Sequence, residues 1–473
     1  MAYDAIVVGA GPNGLAAGIE LAREGLSVLI LEANSTVGGA ARSEELTLPG
    51  LVHDVGSSVY PLGIGSPFFS SLPLEKHGLR WAHAPCPLAH PLDGGRVVLM
   101  HRHLKDTASH LGTDGRRYER LLDPFVRTWP NFTDWALGSP LRVPRDPVLI
   151  ARFGLRAMLS TTQMAKMFKT EEARALLAGN AAHSGIPLER APSAAVGLVL
   201  MIAAHAVGWP IASGGAGKLT GALASYFQSL GGTIETDTRV DSLEELPPAK
   251  AVLLALTYRQ VAHVGRSRLP DIYLKRLNNW KYGPGAFKVD WAMDGVIPWE
   301  ASDAGRATTV HVGGTLEEIA EAERAPSEGR VAERPFVLLA QPTLADSSRT
   351  KGKHIVWAYC HVPNGWEGDA TEAIESQIER FAPGFKDRIV ARATHGPREL
   401  EAWDANLVGG DVNGGASTLK QMLGPGRWTL NPWGTPIKDL YICSASAPPG
   451  GGVHGMVGYH AARAALKRTF GRG

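Results

Sequence analysis

The sequence predicts an α/β fold with more than one domain, and three observations support this. An apolar run near the amino terminus leads into a glycine-rich turn, within residues 5–14. A helix-like segment and a second apolar run follow, so that strand, helix and strand alternate. The chain has 473 residues, which is too many for one hydrophobic core.

The glycine-rich turn has the form of a dinucleotide-binding motif. It reads G-x-G-x-x-G between a buried strand and a helix predicted over residues 15–24. Such glycines permit the tight turn, the approach of a pyrophosphate and close packing of helix on strand. The amino terminus of the helix offers free N–H groups to phosphates. The residues predicted to hold the dinucleotide here are Gly9, Gly11, Pro12, Asn13 and Gly14.

A carboxylate ends the second strand of this unit. The strand is predicted from Ser27 to Leu31, and Glu32 and Ala33 follow it. A carboxylate at this place can accept hydrogen bonds from ribose hydroxyls. Because strand, helix, second strand and acid are all present, dinucleotide binding is favoured over a fortuitous glycine turn.

Two further segments could hold a long dinucleotide. A double glycine lets the backbone approach a ligand, and the arginine after it has a donor fork suited to phosphate. Small residues further along could lie against a flat ring system, although a helix-capping turn explains them equally well. The predicted contacts in the two segments are Gly38, Gly39, Arg42, Gly56, Ser57 and Ser58.

Composition narrows the class of protein. Lys and Arg number 48 against 46 Asp and Glu, so nothing favours a nucleic-acid partner. The three cysteines form no C-x-x-C, which argues against a redox dithiol or a cysteine zinc site. The histidines show no H-E-x-x-H pattern, and we expect no metal. The amino terminus is a strand instead of a signal peptide, which favours a cytoplasmic protein.

The chain divides into five predicted segments. Residues 1–75, 206–285 and 421–473 are predicted to build the nucleotide-binding domain. Residues 76–205, with helix-like stretches at 118–132 and 148–167, are predicted to be the helical part of a substrate domain. Residues 286–420 carry strand patterns and are predicted to form its sheet.

The most apolar stretch is Ala194 to Val207. Its ~14 residues are fewer than the ~20 that a membrane span needs. We favour a buried core helix. The alternatives are the wall of an apolar substrate cavity and a patch that dips into a bilayer surface, so a peripheral membrane contact stays open.

These motifs resemble those of flavin-dependent amine oxidases and phytoene desaturases. The first glycine turn, Glu32 and the Gly38-Gly39 pair with Arg42 are similar to the family's amino-terminal fingerprint. Residues 210–219 and 231–240 match a central block, and residues 440–456 match a carboxy-terminal motif. The resemblance is closest to the phytoene-dehydrogenase-related branch, and it implies FAD as the cofactor.

The resemblance also assigns roles to residues in the centre and the tail. It implies that the backbone of Val240 packs beside the adenine. It implies that Val453, Gly455 and Met456 stand where a helix amino terminus approaches the pyrimidine edge of the flavin. Where the family usually has glycine and proline, this chain has Ser444, Ser446 and His454.

Two residues are candidates for catalysis. His454 beside a flavin would be a proton donor or acceptor, and its alternative interpretation is a surface turn histidine. Lys288 lies in a strand-like run and could hold a water near flavin N5, as a lysine does in amine oxidases. An outward-facing lysine on an edge strand is the interpretation that we favour.

The resemblance implies an FAD-dependent oxidoreductase that takes a hydride from an apolar substrate onto flavin N5, with polyprenoids as one candidate class of substrate. Oxygen, a quinone or another acceptor would reoxidise the flavin, since no second dinucleotide motif is present. The apolar stretch and Trp209, Trp291, Trp357 and Tyr359 could line the substrate cavity, although each is more often plain core. The alternatives are a flavin amine oxidase and a non-catalytic prenyl-group-binding protein of the GDP-dissociation-inhibitor type.

Overall fold

The computed structural model describes residues 3–139, 141–421, 424–425 and 431–472. The strands among the described residues are β1 (Tyr3–Val8), β2 (Val28–Leu31), β3 (Ser43–Glu45), β4 (Val52–Asp54), β5 (Trp81–Ala82), β6 (Cys86–Leu92), β7 (Arg96–Met100), β8 (Ile211–Ala212), β9 (Thr233–Glu235), β10 (Ala249–Leu254), β11 (Gly285–Met293), β12 (Ala307–Val312), β13 (Val337–Ala340), β14 (His354–Val362), β15 (Ile389–His395) and β16 (Leu440–Ile442).

The α-helices alternate with these strands through much of the chain. They are α1 (Pro12–Arg23), α2 (Pro61–Ile64), α3 (Pro67–Ser70), α4 (Leu104–Ser109), α5 (Gly115–Arg127), α6 (Trp129–Ala136), α7 (Pro147–Ala157), α8 (Thr161–Ala165), α9 (Glu171–Ala182), α10 (Ser193–Ala206), α11 (Ala216–Ser229), α12 (Tyr258–Val264), α13 (Asp271–Asn278), α14 (Leu316–Arg324), α15 (Thr371–Phe381), α16 (Pro397–Trp403) and α17 (Met456–Arg468).

A parallel five-stranded sheet forms the first structural unit. Its strand order is β16-β10-β1-β2-β9, and each neighbouring pair is parallel. Its strands come from the beginning, the middle and the end of the chain. Helices α1, α11 and α17 pack together against it. Most residues of β1, β2, β10 and β16 are buried, so both faces of the sheet are covered. The predicted α/β class with a Rossmann-type domain is confirmed.

A seven-stranded mixed sheet forms the second unit, in the order β15-β11-β14-β13-β12-β6-β7. All neighbours in it are antiparallel except β6 and β12, which run parallel. Helix α15 packs on one face of the sheet. Helices α5 to α10 cover part of the other face.

The region predicted to be helical, residues 76–205, also contributes strands. Strands β6 and β7 lie in it and join the seven-stranded sheet. The sequence concealed β6 because Pro87 and Pro91 interrupt it, and proline removes a hydrogen-bond donor from a strand. Burial of the whole strand overrides that local preference.

Two long helical predictions are each broken in the structure. The stretch 118–132 is divided between α5 and α6 at Thr128. The stretch 148–167 ends its first helix at Ala157, and Ser160 begins α8 with a capping box to Gln163. Serine favours a helix start because its hydroxyl accepts from the first free N–H groups.

The apolar stretch forms α10, which is packed within the helical layer. Its residues Leu198, Met201 and Ile202 are at most 1% exposed, as the favoured interpretation of a core helix requires. Among the described residues, no helix is both long and apolar enough to cross a membrane.

Candidate active site

The glycine turn joins β1 to α1 in a conformation that only glycine accepts. Gly9 has a φ of +101°, and a Cβ added to Gly14 would lie 1.9 Å from the carbonyl oxygen of Gly9. Helix α1 therefore begins in direct contact with the end of β1. The close approach is the one expected of a dinucleotide-binding turn.

The amino terminus of α1 is left open for a ligand. Its N-cap residue, Gly11, has no side chain to accept from the first N–H groups, which helices otherwise satisfy by capping or by binding anions. The side-chain oxygen of Asn13 is buried and has no hydrogen-bond partner among the described residues. The open helix end fits a bound anionic group, and the Asn13 oxygen is free to accept from a hydroxyl or N–H of the same ligand.

Glu32 lies at the carboxyl end of β2, beside the turn. Its carboxylate accepts from the backbone N–H of Ala10 at 2.8 Å and from that of Asn34 at 2.9 Å. The side chain is buried, so these bonds fix its orientation. Thr238, on the chain segment after β9, donates its N–H to the backbone carbonyl of Glu32.

These elements surround a cleft of about 240 Å³. It lies at the carboxyl ends of β1, β2 and β10, which is where open α/β sheets bind ligands. Of the residues predicted to contact the dinucleotide, those that line the cleft are Gly9, Gly11, Pro12, Asn13, Gly14, Glu32, Ala33, Gly39 and Val240.

The second glycine loop packs directly on the first. A Cβ added to Gly39 would lie 3.1 Å from the Cα of Gly11. Arg42 lies behind this loop and donates to the carbonyls of Gly39 and Trp403, at 3.1 and 2.8 Å. Its guanidinium also stacks on the Trp403 ring at 4.1 Å. Neither Gly38 nor Arg42 lines the cleft, and the phosphate-binding role of Arg42 stays a prediction.

A segment that the sequence did not single out crosses the mouth of the cleft. It consists of the end of α16 and the residues after it, and residues 402–407 line the cleft. Asn406 accepts from the N–H of Thr257 at 2.8 Å, and Gln260 donates to the carbonyl of Ala405 at 3.0 Å. Burial raises the pKa of Asp404, whose carboxylate approaches Gly39. No local pattern marks these residues, because their place depends on the contact between the two sheets.

The small residues predicted to lie along a flat ring system stand next to the cleft. A Cβ on Gly56 would lie 2.1 Å from the carbonyl oxygen of Ala40, a residue that lines the cleft. Ser57 donates its N–H to the same carbonyl at 3.0 Å. Ser58 hydrogen-bonds Asp54. Contact of these three residues with a cofactor stays a prediction.

A second cavity, of about 370 Å³, adjoins the cleft. Gly414 and Ala445 line both. One wall consists of Ala195, Val196 and Val199 from α10, so the cavity-wall interpretation of that apolar stretch also describes part of it. The aromatic residues predicted to line a substrate cavity do not line this one. They are Trp209, Trp291, Trp357 and Tyr359.

The carboxy-terminal motif approaches this cavity with residues that precede the predicted ones. Residues 445–451 line it. Val453, Gly455 and Met456 line neither cavity. Gly455 packs against Phe69 instead, and α17 packs on α1. The contact of these three residues with a flavin stays a prediction.

His454 is 1% exposed, so its interpretation as a surface turn histidine is wrong. Its Nδ1 accepts the N–H of Met456 at 3.0 Å, which places the proton of the neutral ring on Nε2. That atom is buried without a hydrogen-bond partner among the described residues. Burial lowers the pKa of His454 to about 4.

Lys288 is not on an edge strand, and the favoured interpretation is wrong for that reason. Strand β11 lies between β14 and β15, and Lys288 is 3% exposed. Its ammonium pairs with Asp290, which His53 also contacts at 3.4 Å. Burial alone would raise the pKa of Asp290, but the Lys288 ammonium and the hydrogen bond with His53 lower it. Neither cavity is lined by Lys288.

The residues of the cleft fit the dinucleotide part of FAD. The turn leaves room for a pyrophosphate, the helix end supplies N–H donors, and Glu32 is placed to accept from a ribose. All three cysteines are buried and unpaired. Among the described residues, no group of three or more His, Cys, Asp and Glu side chains could hold a metal ion.

Comparison with known proteins identifies the class. Residues 7–70 match the family model described as an NAD(P)-binding Rossmann-like domain. An oxidoreductase from Methanosarcina mazei superposes with a TM-score of 0.65 at 15% identity, over 99% of this chain and 100% of its own. Putrescine oxidase bound to putrescine gives a TM-score of 0.59 at 17% identity, over 98% of both chains. The chain therefore shares its fold with these proteins, an oxidoreductase and an amine oxidase among them.

A full-length relative is consistent with this class. The chain is 26% identical to pyridine nucleotide-disulfide oxidoreductase domain-containing protein 2 of Mus musculus, over 98% of this chain and 93% of the mouse protein. The expected resemblance to flavin amine oxidases is confirmed at the level of the fold, and the chain has a relative in the mouse protein over nearly all of its length.

Proposed function

We propose that the protein is an FAD-dependent dehydrogenase or desaturase that acts on a small apolar molecule. The observation that carries the proposal is the junction at Gly414 and Ala445. There the cleft that begins at the glycine turn meets the apolar cavity. A dinucleotide extended along the cleft would present its far end to whatever the cavity holds.

The lining of the cavity favours an uncharged substrate. Among the described lining residues, none is Asp, Glu, Lys or Arg. Its one ionisable side chain is His183, whose pKa burial lowers to about 3, so the ring is neutral at pH 7. An ammonium group would lose its hydration here without meeting a counter-ion. Burying such an unpaired charge costs on the order of several kcal/mol of binding free energy.

Bound FAD would supply the hydride acceptor, and the protein would supply orientation and a dry site. Helix α1 and Glu32 would hold the dinucleotide. The wall of α10 would keep water from the apolar substrate. Oxygen, a quinone or another acceptor would then take the electrons.

The test of the cofactor is the flavin content of the purified protein. We expect a yellow protein that releases FAD on denaturation. Glu32→Ala and Gly11→Val should each lower the flavin content by about tenfold or more, because one removes the ribose acceptor and the other fills the approach of the pyrophosphate. Full flavin content in both variants would show that the cleft is not the cofactor site.

The test of the substrate class compares three outcomes. Anaerobic addition of apolar unsaturated compounds should bleach the flavin absorbance. Bleaching by benzylamine or putrescine with peroxide release, and not by apolar compounds, would identify an amine oxidase instead. A colourless protein that copurifies with prenylated polypeptides would indicate the non-catalytic alternative.

A further inference from the structure

Helix α7 exposes an unusual number of large apolar side chains. Val148 is 63% exposed and Leu155 69%; Val143 just before the helix is 83% exposed and Met158 just after it 51%. The described residues contain few other large apolar side chains with such exposure, and those lie apart from this helix. A patch of this kind marks a surface that binds something apolar.

The apolar side chains share one face of the helix. Val148, Leu155 and Met158 are spaced by seven and three residues, which places them along one stripe. The opposite face is buried, with Leu149 and Phe153 in the helical core. The helix is thus apolar on both sides, and only the inner side has a partner within the described residues.

Arginines flank the exposed stripe. Arg152 and Arg156 lie on α7, and neither forms an ion pair with another described residue; Arg145 is 70% exposed at 3.6 Å from Asp134. The stretch 141–158 holds four arginines and one acid, Asp146. Long arginine stems can bury along apolar surface while the guanidinium reaches phosphates. Apolar side chains between arginines complement an anionic lipid surface.

The same helix forms a wall of the apolar cavity. Phe153 projects from its inner face and lines the cavity, together with Trp135, Leu137 and Gly138 from the end of α6 and the turn after it. One layer of helix therefore separates the cavity from the exposed stripe. An apolar molecule dissolved in a bilayer would have to cross only this layer.

We propose that the outer face of α7 docks on an anionic bilayer and receives the apolar substrate from it. The docking surface is defined as Val143, Val148, Leu155 and Met158 with Arg145, Arg152 and Arg156. The delivery part of the proposal rests on the proposed function, whereas the docking part does not. Binding to vesicles can therefore be tested without any redox assay.

The experiment is flotation of the full-length protein with vesicles of phosphatidylcholine alone or with one third phosphatidylglycerol. We expect binding to the anionic vesicles that weakens as salt rises, because salt screens exposed charges. Each basic side chain near an anionic surface contributes about fivefold in partitioning, so Arg152→Gln with Arg156→Gln should reduce binding about 25-fold. Val148→Ser with Leu155→Ser should reduce it by about tenfold or more.

A matched control lies on α13, a helix distant in sequence from α7. Ile272 is 67% exposed beside Lys275, so Ile272→Ser with Lys275→Gln removes one exposed apolar side chain and one charge from a different surface. We expect this variant to bind vesicles like the wild type. All variants should keep the wild-type melting temperature, because the substituted side chains are exposed.

Three outcomes would overturn the proposal. The first is that the wild type fails to float with anionic vesicles. The second is that the α7 variants float as well as the wild type. The third is that light scattering shows a dimer which the α7 variants dissolve, so that the α7 face binds a second copy of the chain. Flavin content separates this proposal from the proposed function, since loss of vesicle binding with full flavin content affects docking alone.

Discussion

Substitution of Gly14 by alanine tests the contact on which the cofactor site depends. The new Cβ would lie 1.9 Å from the carbonyl oxygen of Gly9 and 3.0 Å from its carbon. Both neighbours are backbone, so no flexible side chain can move aside. Helix α1 must therefore shift away from the end of β1 by about 1.5 Å to restore an ordinary contact distance.

The expected magnitude follows from two opposing effects. Overpacking against a rigid neighbour costs typically 1–3 kcal/mol, and we take about 3 kcal/mol for a clash with backbone. Alanine in place of glycine in a helix returns up to about 1 kcal/mol. The net loss is about 2 kcal/mol of the free energy of unfolding. This corresponds to a fall in melting temperature of roughly 4–8 °C for a domain of roughly 150–250 residues.

The matched control is Gly221→Ala in α11. A Cβ added to Gly221 meets no atom within 4 Å, and the residue is exposed within a helix. This variant should be more stable by roughly 0.5–1 kcal/mol, because glycine carries an entropic cost in helices. The two substitutions are chemically identical and are expected to have opposite signs.

The assay combines melting temperature with flavin content. Gly14→Ala should lower the flavin content by about tenfold or more, since the displaced helix end no longer aligns its N–H groups with the pyrophosphate. Gly221→Ala should leave the flavin content unchanged. If Gly14→Ala retained both the flavin content and the melting temperature of the wild type, the close packing of turn and helix would be refuted.

Two further predictions concern buried ionisable side chains. Lys288→Met should destabilise the protein by about 3–5 kcal/mol in a urea titration, because it leaves the Asp290 carboxylate buried without its ammonium partner. The control, Lys250→Met, removes an exposed ion pair and should cost less than about 1 kcal/mol. Equal losses would contradict the buried pairing. The pKa of His454 is lowered to about 4, so its contribution to stability is complete above pH 6.5 and is lost as the pH falls towards 4. At pH 5.5 the loss in the free energy of unfolding is about 1.4 kcal/mol. The variant His454→Asn keeps an acceptor for the helix but does not titrate. Between pH 7.5 and 5.5 its free energy of unfolding should therefore fall by about 1.4 kcal/mol less than that of the wild type. The same pH dependence in both proteins would show that His454 is not neutral when folded.

Local motifs were predictable from the sequence. The turn from Gly9 to Gly14 and the acid at Glu32 lie within one strand-helix-strand unit, and short-range spacing determines which residues face the ligand. The structure places them together at the carboxyl edge of the sheet. The α/β class followed for the same reason, because alternating strands and helices leave few other arrangements.

The burial of single polar residues was not predictable. His454 follows three glycines and a valine, a sequence that also suits a surface turn. Lys288 lies in a strand whose place in the sheet depends on β15, more than one hundred residues later. A strand becomes central or marginal only when its neighbours are known, so the pattern of one segment cannot tell a buried ion pair from an exposed lysine.

The sequence by itself determined the dinucleotide-binding unit, because its chemistry is contained in neighbouring residues. Only the tertiary structure decided what surrounds that unit. Trp403 and Asp404 reach the loop of Gly39 across more than 350 residues, and Gly414 and Ala445 join the cleft to the apolar cavity. Contacts of this range form when two sheets pack together, and no periodicity within either segment encodes them.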